Sequence, residues 1–294
     1  MKLLVAEVAA IFTSTKLQRL ERRTMERISD YGTYTDGMRK SMADKTWFLD
    51  KIDGANAIVD YGCADGALLQ YISDAMPRVF TLAGIDIDEE MLKLASTNLS
   101  INCDQMVFLY NPAEFNLYFA EDINRACLNC GSVIHEVYSY GTPESIEEFW
   151  NFVFNSGFRY IAIRDMAISK VDISQSQSVF DNAFEKIIYR NRTSDGETDR
   201  FVEFLEPIGN DIVSWRDIVH YLLKYRYVSN WSREVKENYL PLLTEEILLK
   251  IPSNYRVKYY DHYTLPFLKD QVMKDFGIEL NTKTHYKLLL ERID

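Results

Sequence analysis

Short apolar runs alternate with amphipathic stretches through the middle of the chain. A short apolar run bounded by turn residues predicts a buried strand, and apolar positions that recur every three or four residues predict a helix. Strands that alternate with helices in this way are typical of a parallel sheet covered by helices on both faces. On this pattern we predict strands at 57–61, 80–85, 106–110, 126–134 and 160–163, with helices between them at 66–73, 88–99, 114–124 and 144–154.

Helical patterns also precede the first strand. They cover residues 13–28 and 41–52, and the apolar positions predicted to face inward in the second are Trp47, Phe48 and Ile52. We therefore predict an N-terminal helical cap over residues 1–52.

After residue 166 the alternation stops. Polar loops are predicted at 174–177 and 191–198, an amphipathic helix at 212–225, and a helical stretch at 234–250 that Pro241 interrupts. These features predict a mainly helical insertion at 167–253, which we interpret as a substrate lid. The sheet is expected to resume at 255–260 and to close at 284–290, with a turn at 277–280, so that its core comprises 53–166 and 254–294.

A glycine turn and two acids stand where the first two strands end. Asp60 ends the first strand, Gly62 and Gly66 bracket the turn into the next helix, and Asp86 ends the second strand. Glycine turns let backbone N–H groups approach a ligand, and an acid about 20 residues further on is typical of a ribose contact. The G-x-x-x-G spacing is not the G-x-G-x-x-G of dinucleotide folds, and no Walker lysine follows, so a dehydrogenase and a P-loop protein are disfavoured.

These two segments resemble the first two motifs of class I S-adenosylmethionine-dependent methyltransferases. The segments are 58–66, which reads IVDYGCADG, and 84–92, which reads GIDIDEEML. The resemblance covers about residues 55–166 and the last strand pair. It implies a doubly wound, seven-stranded, mostly parallel sheet whose sixth and seventh strands are antiparallel.

The same resemblance implies that the cofactor is S-adenosylmethionine. Its methionine end would be wrapped by the glycine turn with Asp60 near the amino group, Asp86 would bind both ribose hydroxyls, and Ile87 would lie against adenine. Ala64 stands where the family often has glycine, so we expect the loop to avoid a positive φ there. The full predicted cofactor set is Asp60, Gly62, Cys63, Ala64, Gly66, Asp86, Ile87, Asn111 and Ser132.

Polar residues after strands four and five are the candidates for catalysis. Methyl transfer is an in-line displacement, so the protein mainly orients the acceptor and removes its proton. His135 titrates in the range suited to such a base, although it could instead be a structural hydrogen-bonding residue with Glu136 in a cap or ion pair. Arg164 and Asp165 could orient the substrate or pair with each other. The predicted catalytic set is His135, Glu136 and Arg164.

The composition argues against some classes of binding partner, but it does not identify the methyl acceptor. The net charge of −11 over 294 residues argues against broad binding of nucleic acid or an anionic membrane. No apolar run reaches membrane-spanning length and no signal peptide is evident, so we expect a soluble cytoplasmic protein. The four cysteines include a C-x-x-C at Cys127 and Cys130, which lacks a second pair or nearby histidines, so we predict reduced thiols and no metal site.

The acceptor stays open between a small molecule, a nucleotide or RNA, and a protein. The sequence lacks the strand-four motif of the usual DNA base N-methyltransferases and the Pro-Cys loop of pyrimidine carbon methylation. Aromatic and cationic residues interleave in the insertion, a pattern that suits a stacked acceptor but is more typical of an inward-packed helical lid with solvated arginines. The alternative function is a catalytically inactive, cofactor-binding partner subunit.

Overall fold

The computed structural model describes residues 41–76, 81–98, 105–110, 112, 115, 123–175, 177–193, 200–209 and 212–293. The predicted helix at 13–28, most of the predicted helix at 114–124, and Asn111 lie outside the described residues.

Seven strands form one open sheet in the order β3-β2-β1-β4-β5-β7-β6. Strands β1 to β5 pair in parallel, and β7 runs antiparallel to both β5 and β6. This is the doubly wound, mostly parallel arrangement with an antiparallel final pair that the sequence predicts, so the class I methyltransferase fold is confirmed. The strands are β1 Ala57–Tyr61, β2 Thr81–Ile85, β3 Gln105–Leu109, β4 Ala126–Gly131, β5 Tyr160–Met166, β6 Tyr255–Tyr263 and β7 His285–Arg292.

Successive side chains of the central strands point to opposite faces of the sheet, where they pack into two separate hydrophobic cores. Val59 and Leu128 point into one core, whereas their neighbours Ile58 and Cys127 point into the other, and all four are fully buried. Because both faces are covered, the central strands are apolar along nearly their whole length.

Helices cover both faces and form most of the segment between β5 and β6. They are α1 Met42–Lys45, α2 Ala67–Ala75, α3 Glu89–Asn98, α4 Ile134–Tyr140, α5 Pro143–Asn155, α6 Lys170–Ile173, α7 Gln177–Thr193, α8 Arg200–Leu205, α9 Trp215–Lys224, α10 Trp231–Glu234, α11 Thr244–Leu249 and α12 Pro266–Phe276. Helices α7, α8, α9 and α12 share a third apolar core. None of the described helices combines the length and the apolar character that crossing a bilayer would require.

Several predicted boundaries are wrong for identifiable reasons. The predicted strand four continues to residue 134, but β4 ends at Gly131, because Ser132 has a φ of +63° and the chain turns into α4. Strand β5 extends through Met166, so Arg164 lies within the strand and not beyond it. Helix α12, which begins at Pro266, is absent from the prediction.

Two further predicted helices, one at 234–250 in the insertion and one at 41–52 in the N-terminal cap, are shorter than predicted. The stretch 234–250 is not one interrupted helix, since residues 235–243 are not helical and several of their amides from residue 238 onward bond side chains. The amide of Asn238 donates to Ser139 Oγ at 2.7 Å and that of Leu240 to Asn238 Oδ1 at 3.1 Å. Likewise, the predicted helix at 41–52 is helical only at 42–45 and continues as turns.

The pairing of β6 with β7 allows a sharp stability test. Leu290 and Val257 are register partners, but Leu290 is fully buried in the core whereas Val257 is 46% exposed. We expect Leu290→Ala to lower the free energy of unfolding by about 2–5 kcal/mol and the matched Val257→Ala to lower it by less than about 1 kcal/mol. Urea denaturation followed by circular dichroism measures both. Equal losses would contradict the burial of Leu290 and the exposure of Val257 on the edge strand.

Candidate functional site

The carboxyl ends of β1, β2, β4 and β5 meet at one edge of the sheet and form a crevice. The loop after β1 borders it, and this loop is tied to the second strand because the amides of Gly62 and Cys63 both donate to the Ile85 carbonyl, at 2.7 and 3.1 Å. Gly62 and Gly66 have φ values of +77° and +74°. A Cβ at Gly62 would lie 2.8 Å from Val133, so only glycine fits this turn.

Ala64 corrects one expectation from the sequence. Its φ is +47°, so the loop adopts a positive φ at the alanine after all. Left-handed backbone costs an alanine about 1–2 kcal/mol. The conformation aims the Ala64 N–H at Asp86 Oδ2, 2.8 Å away, and this charge-assisted hydrogen bond offsets the strain.

Asp86 is therefore the link between the two motifs. Its other oxygen, Oδ1, accepts the amide of Asp88 at 2.9 Å, and burial raises the pKa of its carboxyl. A carboxylate offers about four lone-pair positions. Each oxygen of Asp86 keeps capacity for one more donor, which is what binding two hydroxyls requires.

Asp60 lies at the closed end of the crevice and is almost fully buried. Asn129 on β4 donates to Asp60 Oδ1 at 2.7 Å, while the Asn129 side-chain oxygen has no hydrogen-bond partner among the described residues. Burial raises the pKa of Asp60 to about 7, and the Asn129 hydrogen bond and the charge of Lys45 act in the opposite direction. The carboxyl is thus poised to ionise when a cation approaches.

The other end of the crevice is open. Ile87 is 63% exposed and Tyr110, just past β3, is 53% exposed, and the Asp86 amide bonds the Leu109 carbonyl between them. Two exposed apolar side chains beside the acid leave a surface suited to a planar ring. Cys63 contributes only its backbone, because its buried Sγ lies against Gly84 on β2.

Arg164 and Asp165 do not pair with each other. Arg164 instead holds Asp44 of α1, with Nη2 2.8 Å from Oδ2, and donates from Nη1 to Ser132 Oγ at 2.8 Å. Lys287 and Tyr263 bind the same Asp44 carboxylate. The buried Arg164 is therefore held in an ion-pair cluster that fastens α1 over the sheet.

His135 is bound to Asp165 in the first turn of α4. Asp165 Oδ1 lies 2.9 Å from Nδ1, and Oδ2 accepts the amides of Ile134 and His135 at 2.7 and 3.3 Å. Burial lowers the pKa of His135, but the charge and hydrogen bond of Asp165, with the charge of Glu237, outweigh it and raise the pKa to about 9. The sequence-based expectation of titration near neutrality is therefore wrong.

Glu136 and Glu237 share one arginine next to this pair. Arg233 lies 3.0 Å from each carboxylate, and Glu237 Oε2 is 3.8 Å from His135 Nε2. Oxygen and nitrogen atoms of His135, Glu136 and Glu237 lie within 4.8 Å of one another and could hold a metal ion. Arg233 already supplies a positive charge to both carboxylates, and the absence of a metal stays a prediction.

Segment 41–45, which the sequence assigned only to a cap, closes the crevice at Asp60. Met42 and Lys45 border the remaining space together with Asp60, Gly62 and Gly131. This space is about 20 Å³, room for little more than one water molecule. A ligand group larger than this that enters beside Asp60 therefore has to displace residues that border the space, among them Met42 and Lys45 of α1.

A larger cavity of about 290 Å³ lies away from the crevice. It opens between α7 and the segment before β7, where Trp215 and Thr282 are among the residues that line it. No acid or glycine of the crevice borders it, so it is a separate feature of the insertion.

Lys45, Asp44 and Glu237 were missed by the sequence analysis. Asp44 and Lys45 stand in a short helical turn without a motif, and Glu237 lies about 100 residues beyond His135, so no local spacing connects them to the site. The position of Asp165 at the end of an apolar strand indicates a candidate site residue. That position does not indicate that its partner is His135.

No family model matches the chain, and no curated protein matches it. Solved structures are similar over most of its length. The plantazolicin methyltransferase BamL, solved with a substrate analogue and SAH, is 11% identical with a TM-score of 0.46, and the match covers 100% of this chain and 99% of that one. Magnesium protoporphyrin IX methyltransferase from Synechocystis PCC 6803, solved with SAH, is 12% identical with a TM-score of 0.46 over 98% and 99%.

A putative methyltransferase from Bacillus halodurans C-125 is 10% identical with a TM-score of 0.42, covering 87% of this chain and 100% of that one. Similarities this distant assign no function. The fold is established by the strand order and register of the chain itself.

The positive φ of Ala64 predicts that Ala64→Gly and Ala67→Gly change the free energy of unfolding by different amounts. Ala64→Gly should leave the free energy of unfolding within about 0.5 kcal/mol of wild type, because relief of left-handed strain offsets the lost methyl burial and the added chain entropy of glycine. Ala67→Gly, at the start of α2, should cost about 1 kcal/mol, because it relieves no strain. Chemical denaturation measures both, and an equal cost at the two positions would contradict a positive φ at Ala64.

The pairing of His135 with Asp165 predicts an unusual titration. The His135 imidazole should titrate at a pH of about 9, and Asp165→Asn should lower its pKa because the carboxylate no longer stabilises the imidazolium. Since the folded-state pKa is raised, the pair stabilises the protein fully below the unfolded value of about 6.5, and this stability is lost as pH rises through 9.

Imidazole resonances followed by NMR across pH measure this directly, with His135→Gln to assign the signal. Asp172→Asn is the matched control, because Asp172 faces His262 at 3.9 Å and not His135. A wild-type His135 that titrates near 6.5 would contradict the pairing.

Proposed function

We propose that this protein is an S-adenosylmethionine-dependent methyltransferase. The observation that carries the proposal is one hydrogen bond at the crevice. In it, the amide of Ala64, in the glycine loop after β1, donates to the carboxylate of Asp86, which follows β2. A loop of positive φ and a buried acid at the end of β1, with an acid that has spare lone pairs at the end of β2, stand where this kind of sheet binds ligands.

The residues around the crevice fit the cofactor from end to end. Asp86 would bind the ribose hydroxyls, and Ile87 with Tyr110 would flank the adenine. The glycine loop would follow the methionine end, where Asp60 meets the amino group. Positive charge beside Asp60 favours its ionised form and so reverses the effect of burial on its pKa.

When bound, S-adenosylmethionine supplies a methyl group that its sulfonium already activates. The chain then needs to orient the acceptor and to receive its proton. We assign proton transfer to His135, whose Nδ1 is held by Asp165 and whose Nε2 lies on the side of Glu237 with no hydrogen bond to the described residues. With a pKa raised to about 9, the neutral form and hence the rate should increase as pH rises toward that value.

The other two predicted catalytic residues receive supporting roles. Glu136 shares Arg233 with Glu237 and joins α4 to the insertion. Arg164 is held by Asp44 and Ser132, and we assign it to positioning of α1 and the loop after β4.

The insertion at 167–253 would form the acceptor side as a lid. Trp215, Tyr225 and Trp231 are buried in its own core, in keeping with inward-packed aromatics. Arg233 is buried and bonded, so it is not one of the solvated arginines expected from the sequence. Glu237 brings the insertion within 3.8 Å of His135, and we assign the acceptor entrance to the boundary between α4 and this segment.

Titration calorimetry with S-adenosylhomocysteine tests the proposal. Wild type should bind, and Asp86→Ala should weaken binding by about 100-fold or more, since two charge-assisted hydrogen bonds of about 1.5–3 kcal/mol each are lost. A screen with radiolabelled methyl donor over RNA, DNA, protein and metabolite pools then identifies the acceptor.

Asp88→Ala is the matched control. Asp88 is the next acid along the chain and caps α3 through the amides of Glu90 and Met91, so its loss should lower stability and leave affinity nearly unchanged. Wild-type protein that binds neither the cofactor nor its demethylated product would overturn the proposed function.

A further inference from the structure

Among the residues that the structure describes, Lys45 is a cation without an ion-pair partner at the closed end of the crevice. It lines the same small space as Asp60 and Gly62. Within the described part of the chain, no hydrogen bond or ion pair within 4 Å engages its ammonium, although the charges of Asp60, Asp165 and Glu136 reach it from further away. Its neighbour Asp44, in contrast, is bound by Arg164, Lys287 and Tyr263.

An unpaired ammonium in a closed space is costly. Burial lowers the pKa of Lys45, and the nearby charge of Arg164 lowers it further. Lys45 is half-buried, so its ammonium loses part of its hydration with no ion pair among the described residues, and this loss costs free energy. The carboxylates of Asp60, Asp165 and Glu136 act on this ammonium only from a distance, so it keeps the capacity to bind a ligand's anionic group directly.

Groups of opposite charge border this space, an arrangement that suits a zwitterionic ligand. Asp60 offers a carboxylate on one side and Lys45 offers an ammonium on another. The first residues of α2, Ala67 and Leu68, also border the space, so the positive end of a nine-residue helix adds to the attraction for an anion. An α-amino acid presents the ammonium and carboxylate pair that this arrangement would bind.

We propose that Lys45 binds the carboxylate of the methionine end of S-adenosylmethionine and S-adenosylhomocysteine. The inference rests on the proposed function and names the residue that recognises one end of its ligand. Lys45 thereby makes the site select for ligands that carry the amino-acid carboxylate, against adenosine thioethers that lack it.

Asp44 sets the position of this lysine. Helix α1 is a single turn and has no side-chain cap, so its placement depends on the cluster of Arg164, Lys287 and Tyr263 around Asp44. Because a ligand group that enters beside Asp60 has to displace residues that border the space, among them Met42 and Lys45, Lys45 moves with the element that closes over the methionine end.

Calorimetry with two ligands tests the assignment. S-Adenosylhomocysteine carries the carboxylate, and 5′-methylthioadenosine has the same adenosyl thioether without the amino acid. Lys45→Met should weaken S-adenosylhomocysteine binding by about 10- to 100-fold, the scale of one hydrogen bond to a charged group, and should leave 5′-methylthioadenosine binding within about 2-fold. Lys45→Arg should recover part of the lost affinity.

Lys51→Met is the matched control from the same segment, because Lys51 bonds Asp50 and the Trp47 carbonyl outside the crevice. It should bind both ligands as wild type does. A thermal melt of Lys45→Met without ligand should show a melting temperature no lower than that of wild type, since the variant replaces an unpaired charge with an apolar chain of similar length.

The outcomes separate the two proposals. Unchanged affinity of Lys45→Met for S-adenosylhomocysteine, or an equal loss for both ligands, would overturn the role of Lys45 while leaving the proposed function intact. Failure of wild type to bind either ligand would overturn the proposed function itself.

Discussion

The hydrogen bond from the Ala64 amide to the Asp86 carboxylate is the constraint on which the crevice depends. It joins the loop after β1 to the end of β2 and fixes a residue in a left-handed conformation that alanine does not favour. The same carboxylate is the group proposed to bind the ribose. Asp86 thus fixes the conformation of the loop and also presents the lone pairs that remain for a ligand. A substitution in either motif should therefore alter the geometry of the other.

A second constraint is the balance of buried charge at the ends of β4 and β5. Asp165, Glu136 and Glu237 surround His135, and Arg233 is the cation that lies against both glutamates. This surplus of carboxylates explains why His135 holds its proton so strongly. It also connects the parallel sheet to the insertion, because Arg233 and Glu237 come from the insertion and the other residues come from the strand ends.

The sequence predicted the parts of the fold that rest on local pattern. Strand β1 was placed correctly at 57–61, and β2 and β3 within one residue at each end, because each is a short apolar run bounded by turn residues. Ser132 could not be predicted, since a positive φ at serine has no local signature. Pairings such as His135 with Asp165, or Arg164 with Asp44, span 30 and 120 residues and are set by strand order, not by spacing. The sequence therefore predicted which residues stand at the strand ends, but not the contacts that set their charge states.

The closed crevice separates the parts of the site that are fixed from the part that has to move. Asp60, Gly62 and Asp86 belong to the sheet and its loops, which pack between two cores and cannot shift without breaking strand pairing. Helix α1 is a single turn held through the ion pairs of Asp44 and the buried Met42, and its Met42 and Lys45 border the space beside Asp60. Opening α1 exposes the cluster around Asp44 to water, where ion pairs weaken. A ligand that supplies a carboxylate to Lys45 restores a charge contact on closing, so ligand binding and closure of α1 reinforce each other.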